Sequence, residues 1–198
     1  MGMLEQRIQQ QFFDSADLQY QAAEGLARPL ADAAQALVGC LTAGGKLLIA
    51  GSGAGAPLAA LLGASLAGCF ERERPPLAAI VLRADGAIGL GPAGGPEAVL
   101  ARQVQALGQP GDLLLLLDTD AADAALRPVV QAAHEAEVNV VALAGQGSAG
   151  LRAALGETDV LVVVPHARRA RVAELQLLAL HCLCDAIDLQ LMGEQEPT

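Results

Sequence analysis

Aromatic residues are nearly missing from this 198-residue chain, which has no Trp, one Tyr and three Phe. A core must therefore be built from Leu, Val, Ile and Ala, which suits helices packed on a parallel sheet that is covered on both faces. Positive charge is also scarce. Twelve Lys and Arg against 22 Asp and Glu give a net charge of −10, the reverse of what a nucleic-acid-binding surface needs, so no direct nucleic-acid partner is expected. No apolar run is long enough to span a bilayer, and no basic segment followed by an apolar core opens the chain. The expected location is the cytoplasm, with no membrane partner. The four cysteines, Cys40, Cys69, Cys182 and Cys184, include no Cys-x-x-Cys pair and read as reduced, buried small hydrophobes. Cys182 and Cys184, two apart on a helical pattern, point in different directions and do not face one metal, so no cofactor is expected from the residues.

What is present is a repeating alternation. Short apolar runs at Leu47–Ala50, Ala78–Leu82, Leu113–Leu117, Val138–Leu143 and Val160–Val164 predict strands. Amphipathic stretches predict helices over Ala56–Phe70, Pro96–Leu107, Ala121–Glu137, a short piece near Leu151, and Arg168–Leu191. Strands that alternate with helices signal βαβ units, a parallel sheet and right-handed crossovers. Residues 1–42 predict a helix pair broken near Gly25 to Pro29, residues 46–191 the α/β core with its last helix, and residues 194–198 a frayed tail, all within one domain over 1–198. The Gly- and Pro-rich stretch Gly86 to Pro96 reads as a surface loop.

The segment Lys46 to Gly55 carries the strongest functional hint. An apolar run breaks into Gly51-Ser52-Gly53-Ala54-Gly55 and then a helix, the arrangement that offers free backbone N–H groups to a phosphate at the carboxyl end of a strand. The second loop of such a pocket reads Asp118-Thr119-Asp120-Ala121-Ala122-Asp123, with carboxylates where hydroxyls and amides are wanted. A carboxylate about 4 Å from a phosphate charge repels it by ~1 kcal/mol in water and up to ~4 kcal/mol near a protein surface. A helix N-terminus returns typically ~0.3–1 kcal/mol, so this loop is expected to reject phosphate. The same three Asp could instead hold a hard cation, or Asp120 or Asp123 could cap the following helix. The cluster Pro165 to Arg171 reads as a solvated helix entry or, through Arg168 or Arg169, as residual anion binding.

Several separate blocks in order carry a resemblance: Phe70-Glu71-Arg72-Glu73-Arg74-Pro75; Gln103 to Gly108 leading into Gly111-Asp112; Ala170-Arg171 with Glu174; and His181-Cys182-Leu183-Cys184-Asp185. Together they resemble the sugar isomerase (SIS) domain family, in the branch that holds bacterial phosphoheptose isomerases and the initiator-associating protein DiaA. The resemblance implies a three-layer αβα, flavodoxin-like five-stranded parallel sheet with an N-terminal helix pair, and a homotetramer or dimer with pockets at subunit interfaces.

An aldose–ketose isomerase moves a proton between adjacent carbons and needs a base and an acid. The isomerase branch uses a Glu and a His, often with a metal held by His, Glu and Gln. Matched through the glycine turn, Ser65 stands at that Glu and Leu61 at a histidine, while Ala173 replaces a Gln and Gln176 another His. Only His181 falls on the catalytic His, and in its apolar surroundings it reads as a core or interface residue that hydrogen-bonds locally rather than as a working base, with a substrate-binding role left open. The ligand-binding positions implied are Gly51, Ser52, Gly53, Gly55, Asp85, Asp118, Thr119, Asp120, Asp123 and Arg168. With the Glu gone, the resemblance points first to a non-catalytic scaffold like DiaA that binds the initiator DnaA, through Glu5 or Gln6 and through Leu191 with Met192. The alternatives are a phosphoheptose isomerase acting on sedoheptulose 7-phosphate, with zinc only in that case, or a sensor of a sugar-derived ligand.

Overall fold

The computed structural model describes residues 2–85, 95–119 and 126–193. Along them run α1 (Met3–Thr42), β1 (Leu47–Ser52), α2 (Gly55–Ala67), β2 (Ala79–Val81), α3 (Gly95–Leu107), β3 (Leu113–Asp118), α4 (Arg127–Glu135), β4 (Asn139–Gly145), α5 (Ala149–Ala154), β5 (Val160–Val164) and α6 (Arg169–Met192). The strands form one parallel sheet in the order β2-β1-β3-β4-β5, the flavodoxin-like order. Its switch point lies between β1 and β3, where loops from neighbouring strands leave in opposite directions and open a crevice.

Successive strand residues point to opposite faces. Leu47 and Ile49 of β1, Leu113, Leu115 and Leu117 of β3, and Val141 and Leu143 of β4 pack under α1, α2 and α6. Leu48, Ala50, Leu114, Leu116, Val140 and Ala142 pack under α3, α4 and α5. The five consecutive leucines of β3 are buried on both sides, which is why the run shows no alternation.

The predicted helix pair is one continuous helix of 40 residues, about 60 Å long at 1.5 Å per residue. Pro29 lies inside it. A proline there removes one hydrogen bond and costs ~3 kcal/mol, but the face around it is committed to packing. Ala22 packs with Val164, Val172 and Leu175, Leu26 and Leu30 lie against the core, and Ala33, Ala34 and Leu37 are buried. Breaking the helix would expose those contacts. It stops where Gly44 takes a positive φ of 86° and Gly45 N–H returns to the Cys40 carbonyl at 2.9 Å.

Other boundaries differ by a few residues. β2 is shorter than expected, and α2 ends at Ala67 because the buried Arg74 guanidinium collects the carbonyls of Ser65, Leu66 and Gly68 at its end. α4 begins at Arg127; the expected start at Ala121, most of the Gly86–Pro96 loop and the 194–198 tail lie outside the described residues. Only Cys40 and Cys184 are buried, and burial pushes both thiols up to about 11; Cys69 and Cys182 are exposed, because each sits on the outer side of its segment. Among the described residues no helix is long and apolar enough to cross a membrane.

Candidate functional site: the cleft at the carboxyl ends of β1 and β2

The glycine turn after β1 is as tight as its sequence suggests. A Cβ on Gly51 would lie 2.3 Å from the backbone of Gly55, and one on Gly55 would lie 2.3 Å from the Leu117 carbonyl oxygen. Only glycine at both positions lets α2 start directly against β3. The turn forms the floor of a cleft of about 570 Å³ between the carboxyl ends of β1 and β2. Gly51, Ser52, Gly53 and Asp85 line it, joined by Arg83 and by Glu97 from the first turn of α3.

Asp118 does not face that space as a bare charge. Parallel register sets Ser52 beside it. The Ser52 hydroxyl donates to Oδ1 at 3.2 Å and the Ser148 hydroxyl to Oδ2 at 2.7 Å, leaving the carboxylate 5 % exposed. Gln176 of α6, fully buried, donates its amide to the carbonyls of Asp118 at 2.9 Å and Leu143 at 3.0 Å, tying β3 to β4 from above. Thr119 is buried beside them. The expectation of a three-carboxylate barrier is therefore corrected at its first member: Asp118 is a hydroxyl-satisfied strut of the sheet end. Asp120 and Asp123 lie outside the described residues. The N-cap position of α4 as described is Leu126, and the expected Asp caps lie outside the described residues.

The remaining predicted positions are not gathered at the cleft. His181 is exposed on α6, its ring 5.5 Å from that of Phe70, so of its two expected places, core or interface, the core is excluded: its face of α6 is turned from the sheet. Ser65 donates its hydroxyl to the Leu61 carbonyl one turn back at 3.0 Å and is no proton acceptor for a substrate. Arg168 sits at the N-cap of α6, its backbone N–H donating to His166 Nδ1 at 2.9 Å and its side chain exposed. Its charge helps to hold the Glu174 carboxyl down. Burial pushes that carboxyl up, and hydrogen bonds from Ser15 and Arg171 with the charges of Arg171 and Arg168 outweigh the push. A zinc centre finds no support in the donor set. Ser65, Leu61 and Ala173 offer it no ligand beside His181, and no group of three His, Cys, Asp or Glu converges among the described residues.

Sequence reading missed Arg83, Glu97, Gln103 and Ser148. Gln103 of α3 reaches across to the strand end after β2, its Oε1 accepting the Arg83 N–H at 3.2 Å and its Nε2 donating to the Arg83 carbonyl at 2.8 Å. Asp85 accepts from Arg83 Nε at 3.1 Å and from Nη2 at 2.6 Å. The pair raises the Arg83 pKa further above its already high value, first through the hydrogen bond and then through the Asp85 charge. Arg83 and Asp85 are close in sequence, but nothing local announces that Gln103 and Glu97, on the next helix, belong with them.

Comparison with known proteins agrees with the fold. The SIS domain profile matches residues 11–145. The phosphoheptose isomerase of Methylibium petroleiphilum is 54 % identical, with 100 % of both chains covered, and that of Azoarcus sp. is 43 % identical over 96 % of this chain and 98 % of its own. The structure of phosphoheptose isomerase GmhA from Neisseria gonorrhoeae superposes with a TM-score of 0.85 at 34 % identity, covering 94 % of this chain and 99 % of that one. These findings overturn the expectation of a non-catalytic scaffold, and with it DnaA as partner. The full-length relatives and the superposed Neisseria gonorrhoeae structure are named as isomerases. Gln6 is exposed near the start of α1, Leu191 is half-buried against the core, and Met192 is the exposed last residue of α6. By its profile match, its full-length relatives and its 2-1-3-4-5 sheet, the chain belongs to the SIS domain family.

Proposed function

We propose that the chain is an aldose–ketose isomerase of a phosphosugar: a phosphoheptose isomerase that interconverts sedoheptulose 7-phosphate and D-glycero-D-manno-heptose 7-phosphate. The observation that carries this reading is 54 % identity to a phosphoheptose isomerase with neither chain left uncovered. The cleft at the sheet's carboxyl edge supports it, being of a size for one sugar phosphate and floored by a turn whose backbone approaches closely. A phosphorylated sugar does not cross a bilayer unaided, so the reading places the reaction in the cytoplasm.

The protein acts as a homo-oligomer in this reading, a tetramer as the family resemblance implies. Supporting it, the first half of α1 leaves Met3, Leu4, Ile8, Phe12, Phe13 and Tyr20 exposed. A largely apolar groove of about 370 Å³ also runs between α1 and α6 beside the exposed Leu178. Such a surface is more than one protomer needs to cover its own sheet.

The test is direct. Purified protein is incubated with sedoheptulose 7-phosphate, and anomeric proton signals of the aldose are followed by NMR, with the Neisseria gonorrhoeae enzyme as positive control. Appearance of the aldose at a rate proportional to protein supports the reading. No interconversion at high protein concentration, while the control converts, overturns it.

A further inference from the structure

The first turns of α1 stand clear of the rest of the chain. Every residue from Gly2 to Gln10 is exposed, and Arg171 at the start of α6 takes hold of the helix at Gln11, through its carbonyl at 3.0 Å and its side-chain oxygen at 2.6 Å. A helical end of that length is marginal in water on its own. It nonetheless carries Met3, Leu4 and Ile8, followed by Phe12 and Phe13, all 51–87 % exposed. We propose that this segment of one copy lies antiparallel in the α1–α6 groove of a second copy, Phe12 over Ala23 and Ile8 over Ala27, and that the second copy's segment fills the first copy's groove in return. The proposal deepens the homo-oligomer reading above and rests on it.

Side-chain size sets the direction. Residues four apart share a helix face. On α1 the row Leu4, Ile8, Phe12 is large and exposed, whereas the row Ala23, Ala27, Ala31 is small and lines the groove. Paired antiparallel about a two-fold axis between Asp17 and Leu18, the two rows meet in step: Leu4 opposite Ala31, Ile8 opposite Ala27, Phe12 opposite Ala23. A parallel pairing would set large on large and leave the alanines facing a gap. The far wall of the groove is α6, with Leu178 and Cys182. At 3.6 residues per turn Phe13 points about 100° away from Phe12, so a helix seated between the two walls presents one phenylalanine to each.

Chemistry and area favour a copy of this chain over a small ligand. The groove lining has no charged residue and one polar one, Gln19, so it offers a phosphate or a sugar nothing to bind. The chain has four aromatic residues, and Phe12, Phe13 and Tyr20 are all exposed on α1 rather than in the core. A stable interface takes about 800 Å² from each partner. A Phe side chain brings roughly 150–250 Å², so the two phenylalanines at their exposure supply about a third, and Met3, Leu4, Ile8 and the apolar groove walls are there for the remainder. Reciprocal docking buries a segment and a groove on each copy, which closes the pair.

The experiment uses the full chain as wild type, I8E/F12E and C69S/F12C, each checked for folding by circular dichroism. Light scattering and sedimentation equilibrium give mass and association, and maleimide labelling read by mass spectrometry gives the rate at Cys182. A short bis-maleimide is then applied to C69S/F12C at a concentration where that variant is associated. Expected is a wild type of at least two copies, with association in I8E/F12E weakened by about 30-fold or more, the scale of a lost hot spot. Cys182 should label about 10-fold or more faster in that variant, as a covered thiol does once opened. The cross-linker should join the F12C thiol to Cys182 of the other copy, at twice the chain mass. Within one chain so short a reagent cannot make that link, because Gln11 sits at Arg171, about 16 Å along α6 from Cys182 at 1.5 Å per residue.

An associated wild type whose I8E/F12E form keeps its association, or loses it with Cys182 labelling unchanged, overturns the docking while the homo-oligomer reading stands. A cross-link that joins the two F12C thiols to each other shows a parallel pairing and overturns it too, as does the absence of any link to Cys182. A monomeric wild type overturns both readings.

Discussion

Arg74 and Asp188 form an ion pair at 2.6 Å with side chains 0 % and 1 % exposed, and they join the end of α2 to α6. Besides Asp188 the guanidinium serves the carbonyls of Leu66 at 2.9 Å, Gly68 at 3.2 Å, Pro75 at 3.2 Å and Ser65 at 2.8 Å. Arg74→Met leaves Asp188 as a buried carboxylate without a partner, its Oδ2 already meeting no donor, and strips the α2 carbonyls of theirs. Removal of one member of a buried pair costs ~3–5 kcal/mol. Asp188→Leu is expected to cost a similar amount by stranding the guanidinium charge. The double variant Arg74→Met/Asp188→Leu strands no charge, and its loss should be smaller than the sum of the two single losses by at least ~2 kcal/mol, the residue being the unserved carbonyls. For a chain of this size the single losses correspond to a drop in Tm of roughly 6–20 °C. Urea unfolding followed by circular dichroism, at one fixed protein concentration because assembly shifts the midpoint, measures all three. Single variants within ~1 kcal/mol of wild type, or a double variant at the full sum, would refute the argument that this pair is an interdependent buried unit.

Two further expectations concern acid and thiols. At Asp112 burial pushes the carboxyl up, but hydrogen bonds from Lys46 Nζ at 2.5 Å, Lys46 N at 3.0 Å and Gln109 N at 2.8 Å, with the Lys46 charge, more than reverse it and leave the pKa below its ordinary value. Its stabilisation is thus complete above about pH 4, the unfolded value, and is lost as pH falls through the lower folded value. Asp112→Asn should flatten the decline in unfolding free energy below about pH 4, and an unchanged acid limb would count against the assignment. With a thiol reagent on native protein, exposed Cys69 should react first. Cys182, which lines the α1–α6 groove assigned above to subunit contact and whose thiol is raised by burial and then by the Asp185 charge, should follow more slowly, and Cys40 and Cys184 only on unfolding. Mass spectrometry of the labelled peptides gives the order, and early labelling of Cys40 or Cys184 would contradict their burial.

Strand positions were legible because a buried parallel strand needs little more than a short apolar run between turns, and all five runs became strands. The glycine turn was legible for the same local reason. The helix break at Pro29 misled because a local penalty of ~3 kcal/mol competes with distributed packing that a sequence does not display. The contacts of α1 come from α6, β5, β1 and β3, elements far apart in the sequence. Asp118 misled in the opposite direction. It reads as a charge in a pocket loop, and its neutralisation by Ser52 depends on strand register and by Ser148 on a turn 30 residues later. The signal for Ser52 was available, since two strands known to be parallel and adjacent place their last residues side by side. Arg83, Gln103 and Glu97 were invisible because their relation exists only through the packing of α3 against the strand end after β2.

The burial of Asp118 also bears on where a phosphate can go in this chain. The carboxylate takes up the Ser52 and Ser148 hydroxyls, the donors that the end of β3 would otherwise present to an anion. Moving it aside to admit a phosphate would leave those hydroxyls to choose between two anions and would bring like charges within a few ångströms, a repulsion of ~1–4 kcal/mol for each pair depending on the local dielectric. At the β3 side of the switch point the Ser52 and Ser148 hydroxyls are thus spent on Asp118 and not open to a ligand. On the β2 side, Gln103 holds the Arg83 backbone and Asp85 pairs with its exposed guanidinium, while Glu97 has both oxygens unengaged among the described residues.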